Sequence, residues 1–378
     1  MKKLLSTTAI IGAVAFATSA SAADLQVNVG GFLDFQAGYT SDDIVGEGAA
    51  ATPLPNANEL NFNNDTEIHF SIDGKADNGL EYGAVVELEA DISADNSTQA
   101  KNTGGNADKT YLFLQGGWGR VELGGNTDAA EALSVNSSTF ASATGGVDGD
   151  FYRYAAVPAT PGVGGFIIRP DLVVANNVTA GLNEDSTKIT YYSPRFAGFQ
   201  AGVSYSPNTN ATGTTVPSNA GFENLWSGGI NYAAQWDSIG FKAALTGQTA
   251  DGKAAATQDI EAWDAGANIT FAGFTVGGSY GDWDDSLAVN TDASYWDAGV
   301  GYEFGAFSAS ASYIDSTVEA AGGDNDFNNI VLGLDYKLAP GLVPYAEVSF
   351  FEYDGGAGAG IANDNEGTVV ILGTELSF

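Results

Sequence analysis

Sixteen strand-like runs between Gln26 and Phe378 are joined alternately, without exception, by tight turns and by long polar segments. The runs are 26–39, 64–77, 80–93, 108–116, 119–125, 187–193, 199–206, 224–237, 241–249, 261–271, 274–281, 293–304, 307–316, 328–338, 342–353 and 367–378. Asp77-Asn78-Gly79, Gly116-Gly117-Trp118, Pro194 to Gly198, Ser238-Ile239-Gly240, Ala272-Gly273, Gly305-Ala306 and Ala339-Pro340-Gly341 are the tight turns, of the Gly- or Pro-containing hairpin type. The long connections are 40–63, 94–107, 126–186, 207–223, 250–260, 282–292, 317–327 and 354–366. Such alternation puts both ends of the chain on the short-turn side of an even-numbered antiparallel sheet. A soluble sandwich does not predict it.

The last run shows what the two faces demand. Val370, Leu372, Thr374, Leu376 and Phe378 share one side by the period of two. A closed sheet with apolar side chains outside and small or polar ones inside has lipid without and water within. The expectation is an all-β, 16-stranded antiparallel transmembrane β-barrel with short periplasmic turns and long extracellular loops. Most runs reach the roughly 9–11 residues that cross a bilayer at a tilt. Five contain aromatic pairs six residues apart on one face: Phe199/Tyr205, Trp226/Tyr232, Phe274/Tyr280, Trp296/Tyr302 and Phe307/Tyr313. Rings at two heights suit the two interfaces of a membrane. Between Phe307 and Tyr313 the intervening inward residues are Ser308, Ser310 and Ser312, small enough to leave an aqueous passage.

Residues 1–22 carry Lys2 and Lys3, an apolar stretch from Leu4 to Ala17, then Ala20-Ser21-Ala22, the three regions of a signal peptide. The barrel domain then spans 23–378. Without the two leader lysines, 11 basic residues face 47 acidic ones, a net charge of −36. A polyanion of this density repels nucleic acid and attracts cations. With no Cys and His69 as the one histidine, thiolate metal sites and disulfides are excluded, a transition-metal or zinc site is not expected, and a hydrolase would have a single imidazole to draw on.

Two stretches carry a family resemblance. Tyr111-Leu112-Phe113-Leu114-Gln115-Gly116-Gly117-Trp118-Gly119-Arg120-Val121-Glu122-Leu123-Gly124-Gly125-Asn126 resembles the fourth and fifth strands of the general porins of Gram-negative outer membranes, with their glycine-rich turn. Ile189-Thr190-Tyr191-Tyr192-Ser193-Pro194-Arg195-Phe196-Ala197-Gly198-Phe199 is similar to that family's sixth strand, turn and seventh strand, and Phe378 resembles its terminal signal for the barrel-assembly machinery. The resemblance implies a homotrimer in the outer membrane, passing small hydrophilic solutes by passive diffusion without catalysis. It also implies that the third loop, here 126–186, folds into the pore as a constriction.

Within that loop, Asp128, Glu131, Asp148, Asp150 and Asp171 are the acidic constriction candidates, and Arg153 and Arg169 the basic ones. Alternation places Asp34, Glu67, His69, Asp73, Glu81, Glu87, Glu89, Asp91, Glu122, Asp264, Asp297, Glu303, Asp335, Glu347 and Glu375 on the lumen wall. Far fewer basic residues stand there, among them Lys75, Arg120 and Lys188. The excess predicts cation preference. Phe140, Phe151, Tyr152, Tyr154 and Phe166 could form a sugar-stacking ladder in a substrate-selective channel, or simply anchor the loop. Asp282, Asp284 and Asp285, Asp324 and Asp326, and Asp364 offer clustered loop oxygens for structural Ca²⁺, which could bridge to lipopolysaccharide. A loop-mediated adhesin is the remaining alternative.

Overall fold

The computed structural model describes residues 25–43, 58–90, 107–138, 140, 146–147, 149–155, 158, 165–172, 186–209, 221–253, 258–286, 292–319, 323–356 and 364–378. Sixteen strands follow in order: β1 Gln26–Asp42, β2 Leu60–Lys75, β3 Glu81–Glu89, β4 Ala107–Gly116, β5 Gly119–Gly125, β6 Thr187–Tyr192, β7 Phe199–Asn208 and β8 Phe222–Trp236. The second half comprises β9 Ile239–Gly252, β10 Ile260–Phe271, β11 Phe274–Trp283, β12 Ala293–Phe304, β13 Phe307–Val318, β14 Asn325–Tyr336, β15 Leu342–Gly355 and β16 Asn365–Ser377. Each pairs antiparallel with its sequence neighbours, and β1 pairs with β16, closing the barrel. The seam runs from Phe32 opposite Ser377 to Asp42 opposite Gly367. Beyond it Gly31 and Phe378 exchange backbone hydrogen bonds, each 3.1 Å long.

The tight connections fold as their residues require. Ala272 and Gly273 both have positive φ, 51° and 84°, the combination of a two-residue turn whose twist matches its strands. Along β14 the side chains alternate strictly: Asn329, Val331 and Asp335 are buried inside, whereas Ile330, Leu332 and Leu334 are exposed outside. Aromatic pairs meet across strands at two heights. Phe199–Tyr232, Phe274–Tyr302 and Phe307–Tyr336, with ring centroids 4.7, 4.1 and 4.6 Å apart, lie by the short turns. Tyr205–Trp226 and Trp296–Tyr313, at 4.5 and 5.1 Å, lie towards the loops. Two aromatic girdles around an apolar band mark the outer surface of a membrane barrel.

The described part of the 126–186 segment lies inside the barrel. Asp128 caps a short helix, α1 (Ala129–Leu133), by accepting hydrogen bonds from the backbone N–H groups of Ala130 and Glu131 at 2.8 and 3.1 Å. From there the chain crosses the inner wall. The Asn231 amide on β8 donates to Leu133 O, and that of Asn268 on β10 to Asn136 O. Ser137 donates from backbone N–H to Asp297 on β12, at 2.7 Å, and accepts at its carbonyl from Ser312 on β13. A 3-10 turn at Asp150–Arg153 then reaches β1 and β2. The return limb runs nearer the loop rim, where Asn325, Ser316 and Gln248 donate to Gly165 O, Ile167 O and Leu172 O.

An apolar core holds this strap in place. Phe151 stacks on Phe327 and packs at a tilt against Phe351, centroids 5.9 and 5.7 Å away, and Phe166 meets Tyr353 at 4.8 Å. Full burial of such a side chain is worth about 1.5–3 kcal/mol. The lumen face of β13–β16 is therefore not uniformly small and polar: Ile314, Val318, Val331, Val369 and Ile371 point inward and are completely buried. Ser308, Ser310 and Ser312 do face inward, and all three are buried.

Candidate functional site

Because the strap occupies the inner faces of β7–β10 and β12–β16, the wall acids fall into two populations. On the covered side and on β1 they are buried, one bonded to the strap and others to neighbouring wall side chains. Asp297 accepts from the backbone N–H and hydroxyl of both Ser137 and Ser279. Asp264 accepts from Tyr295 Oη at 2.6 Å. Asp34 accepts from Tyr345 Oη, at 2.8 and 2.7 Å to its two oxygens, and from the Gln36 amide at 3.0 Å. Asp335, Glu347 and Glu375 are likewise buried.

On β2–β5 the inward faces stay partly open to solvent. Antiparallel register sets Glu67 opposite Glu89 and His69 opposite Glu87, and Asp34 opposite Asp65 on the neighbouring pair. His69 Nε2 lies 2.7 Å from Glu67 Oε2. Lys109 Nζ contacts Glu87 at 2.9 Å. Further round, Arg120 pairs with Glu122 at 2.6 Å, donates to Gln115 and lies 3.9 Å above the Phe113 ring, a rigid stacked guanidinium. Lys188 is buried and donates to Asn126 O, while the Asn126 amide donates to Glu122. Lys75 sits at the rim, with Glu81 at 2.9 Å and both side chains largely exposed.

The tip of the strap closes on this arc. Arg153 lies between Asp65, at 2.8 Å, and Asp150, at 3.4 Å. Burial opposes its charge, but Asp150, Tyr152 and Asp65 outweigh that and hold the guanidinium above its ordinary pKa. The Gln36 amide donates to Asp150, and Tyr154 Oη donates to Gln36 Oε1 at 3.1 Å. Burial and the neighbouring Asp150 push the Tyr154 phenol up to about 12, so it stays a donor.

The loop candidates thus have different positions. Asp128 is a buried helix cap; Glu131 is half-buried on α1; Asp150 and Arg153 form the tip; Arg169 and Asp171 pair at 3.0 Å on the return limb. Asp148 lies outside the described residues, as does Asp91. Phe151 and Phe166 are 1% and 2% exposed, so they are anchors and present no face to a sugar. Three of the acids proposed for calcium have hydrogen-bond partners on their own or adjoining segments. Asp282 accepts from Tyr280, Asp326 from Thr317 and Asp364 from the Gly355 N–H, and among the described residues none joins a set of three close ligand atoms. Such sets occur instead on β2–β3: Glu67, His69 and Glu87, and Asp65, Glu67 and Glu89. A hairpin centred on Asn78 already puts 69 opposite 87, and this was the signal by which the first set could have been found.

Comparison with known proteins gives a consistent picture. A family model described as Gram-negative porin matches residues 6–356. An uncharacterized protein of Rickettsia typhi is 26% identical, with both chains covered in full. One of Rickettsia conorii is 24% identical over 95% of this chain and 94% of its own. Among solved structures, an anion-selective porin from Comamonas acidovorans aligns with a TM-score of 0.63 at 18% identity, covering 94% of this chain and all of its own. A porin refined at 1.8 Å gives 0.57 at 19% identity, with 93% of this chain and all of its own covered.

Proposed function

This chain belongs to the Gram-negative porin family, and from that membership we propose that it forms a water-filled, cation-preferring channel for passive diffusion of ions and small hydrophilic solutes. The observation that carries the reading is the line of carboxylates Asp65, Glu67, Glu87 and Glu89 on the accessible β2–β3 wall. Lys109 and Arg153 offset them only in part. Beside a low-dielectric wall this excess concentrates cations, most strongly at low ionic strength. The fold itself does not set the sign of selectivity, since an anion-selective porin shares it. The proposal includes export by cleavage after residue 22, assembly directed by Phe378, and a trimer in an outer membrane with lipopolysaccharide.

The test is a reversal potential across a KCl gradient in planar bilayers. It should lie on the potassium side of zero and move towards zero in the doubly neutralised variant Glu67→Gln, Glu89→Gln. An anion-side potential in the unmodified protein would overturn the cation preference.

A further inference from the structure

We propose that Glu67, His69 and Glu87 form a binding site on the channel wall for a divalent transition-metal ion of the zinc class. The three ligand atoms lie within 4.8 Å of one another on adjacent strands whose register fixes them. A tetrahedral zinc ion holds its ligand atoms about 3.4 Å apart, given bond lengths of roughly 2.0–2.2 Å. To reach that spacing the His69–Glu67 contact, now 2.7 Å, opens by less than an ångström, and Glu87 lies within 4.8 Å of both. The imidazole is the group that separates this site from an acidic patch: it selects zinc, copper or nickel over calcium and magnesium, which prefer an all-oxygen shell. It is also the chain's one histidine, already aimed at Glu67 with 2.7 Å between Nε2 and Oε2. On binding, the metal takes the place of the proton between these two atoms, and the ring carries its N–H on Nδ1.

Access and charge agree with this assignment. The His69 side chain is 29% exposed and that of Glu87 16%, so an ion in the lumen reaches both, while Glu67, 6% exposed, is held from behind. The edge of the Phe32 ring packs near the imidazole, centroids 6.2 Å apart, restricting its rotation. Asp65 and Glu89 add negative charge beside Glu67. Lys109 is the competitor, since its ammonium holds Glu87 at 2.9 Å and must yield when the metal arrives. Three protein ligands leave a coordination position for water, so the ion is exchangeable.

The site rests on side-chain geometry, and its effect on permeation rests on the channel reading; the two are measured separately. Equilibrium dialysis of the detergent-solubilised barrel against ZnCl₂ should show saturable uptake that weakens about tenfold or more in His69→Ala and in Glu87→Gln. Lys109→Met should tighten it. Calcium in excess should displace little of the zinc. In bilayers, ZnCl₂ should lower KCl conductance over the concentrations that fill the site, and His69→Ala should abolish the block. Uptake unchanged in His69→Ala, or displaced by calcium as readily as by zinc, would overturn the proposal. If His69→Ala fails to assemble, His69→Gln carries the same test. Bilayers silent without zinc would refute the channel reading while dialysis still decides the metal site.

Discussion

Tyr154 ties the strap to the wall through a single hydroxyl, donated to Gln36 beside the Asp150 carboxylate. Its pKa of about 12 exceeds that of a free phenol, near 10, so the folded state holds its proton more tightly than the unfolded one. The contribution is therefore complete below pH 10 and is lost as pH rises through about 12. Ultraviolet titration should lose one tyrosinate's amplitude near pH 12 in Tyr154→Phe, other phenols titrating there in both proteins, and the variant should be destabilised by about 1 kcal/mol. Thermal melting at pH 8 checks that cost, and by pH 12 the two proteins should converge. Individual residues were the least legible level of this sequence. Alternation treats Asp297 and Glu67 alike, but one fastens a loop and the other lies against His69 among the acids of β2 and β3. That distinction depends on where residues remote in sequence travel.

The strap joins the strands it crosses by polar contacts above a buried aromatic seat. Two wall positions show how closely it lies. A Cβ at Gly38 would stand 2.2 Å from Tyr154 Cε1, and one at Gly266 would stand 1.7 Å from Val135 O. Glycine is required where another segment comes this near. Gly38→Val should displace the tip at a cost of about 1–3 kcal/mol without opening the barrel. Asp297→Ala should loosen the outgoing limb by leaving the Ser137 and Ser279 donors unmatched. Both variants should show higher and noisier single-channel conductance. Conductance equal to wild type in both would mean that the strap does not limit the passage. Strand existence and order were legible because turn chemistry and period-two alternation agree. The upper strand ends were not: β2 starts at Leu60 rather than 64, and β9 runs to Gly252 rather than 249. Above the membrane a ladder continues on backbone hydrogen bonds alone, so the apolar signal stops before the strand does.

Across the whole barrel, pairing is uneven. The β1–β16 seam extends from Phe32 to Asp42, whereas β6 meets β7 only from Ile189 opposite Tyr205 to Tyr192 opposite Gly202. β5 and β6 are also the shortest strands. Hydrogen exchange should therefore be faster for amides of β6 than for those of β1 and β16, measured on the detergent-solubilised protein. Equal protection would mean that lateral contacts outside the chain, or the strap within it, even out the difference. The circular order of strands was legible from the even count and the alternating connections, since such a sheet must either close or expose two edges to lipid. Its weakest arc was not, because it reflects strand length rather than pattern. A hoop of this kind does not give way at its weld. The shortest stave fails first, and whatever braces that stave governs how much bending the ring survives.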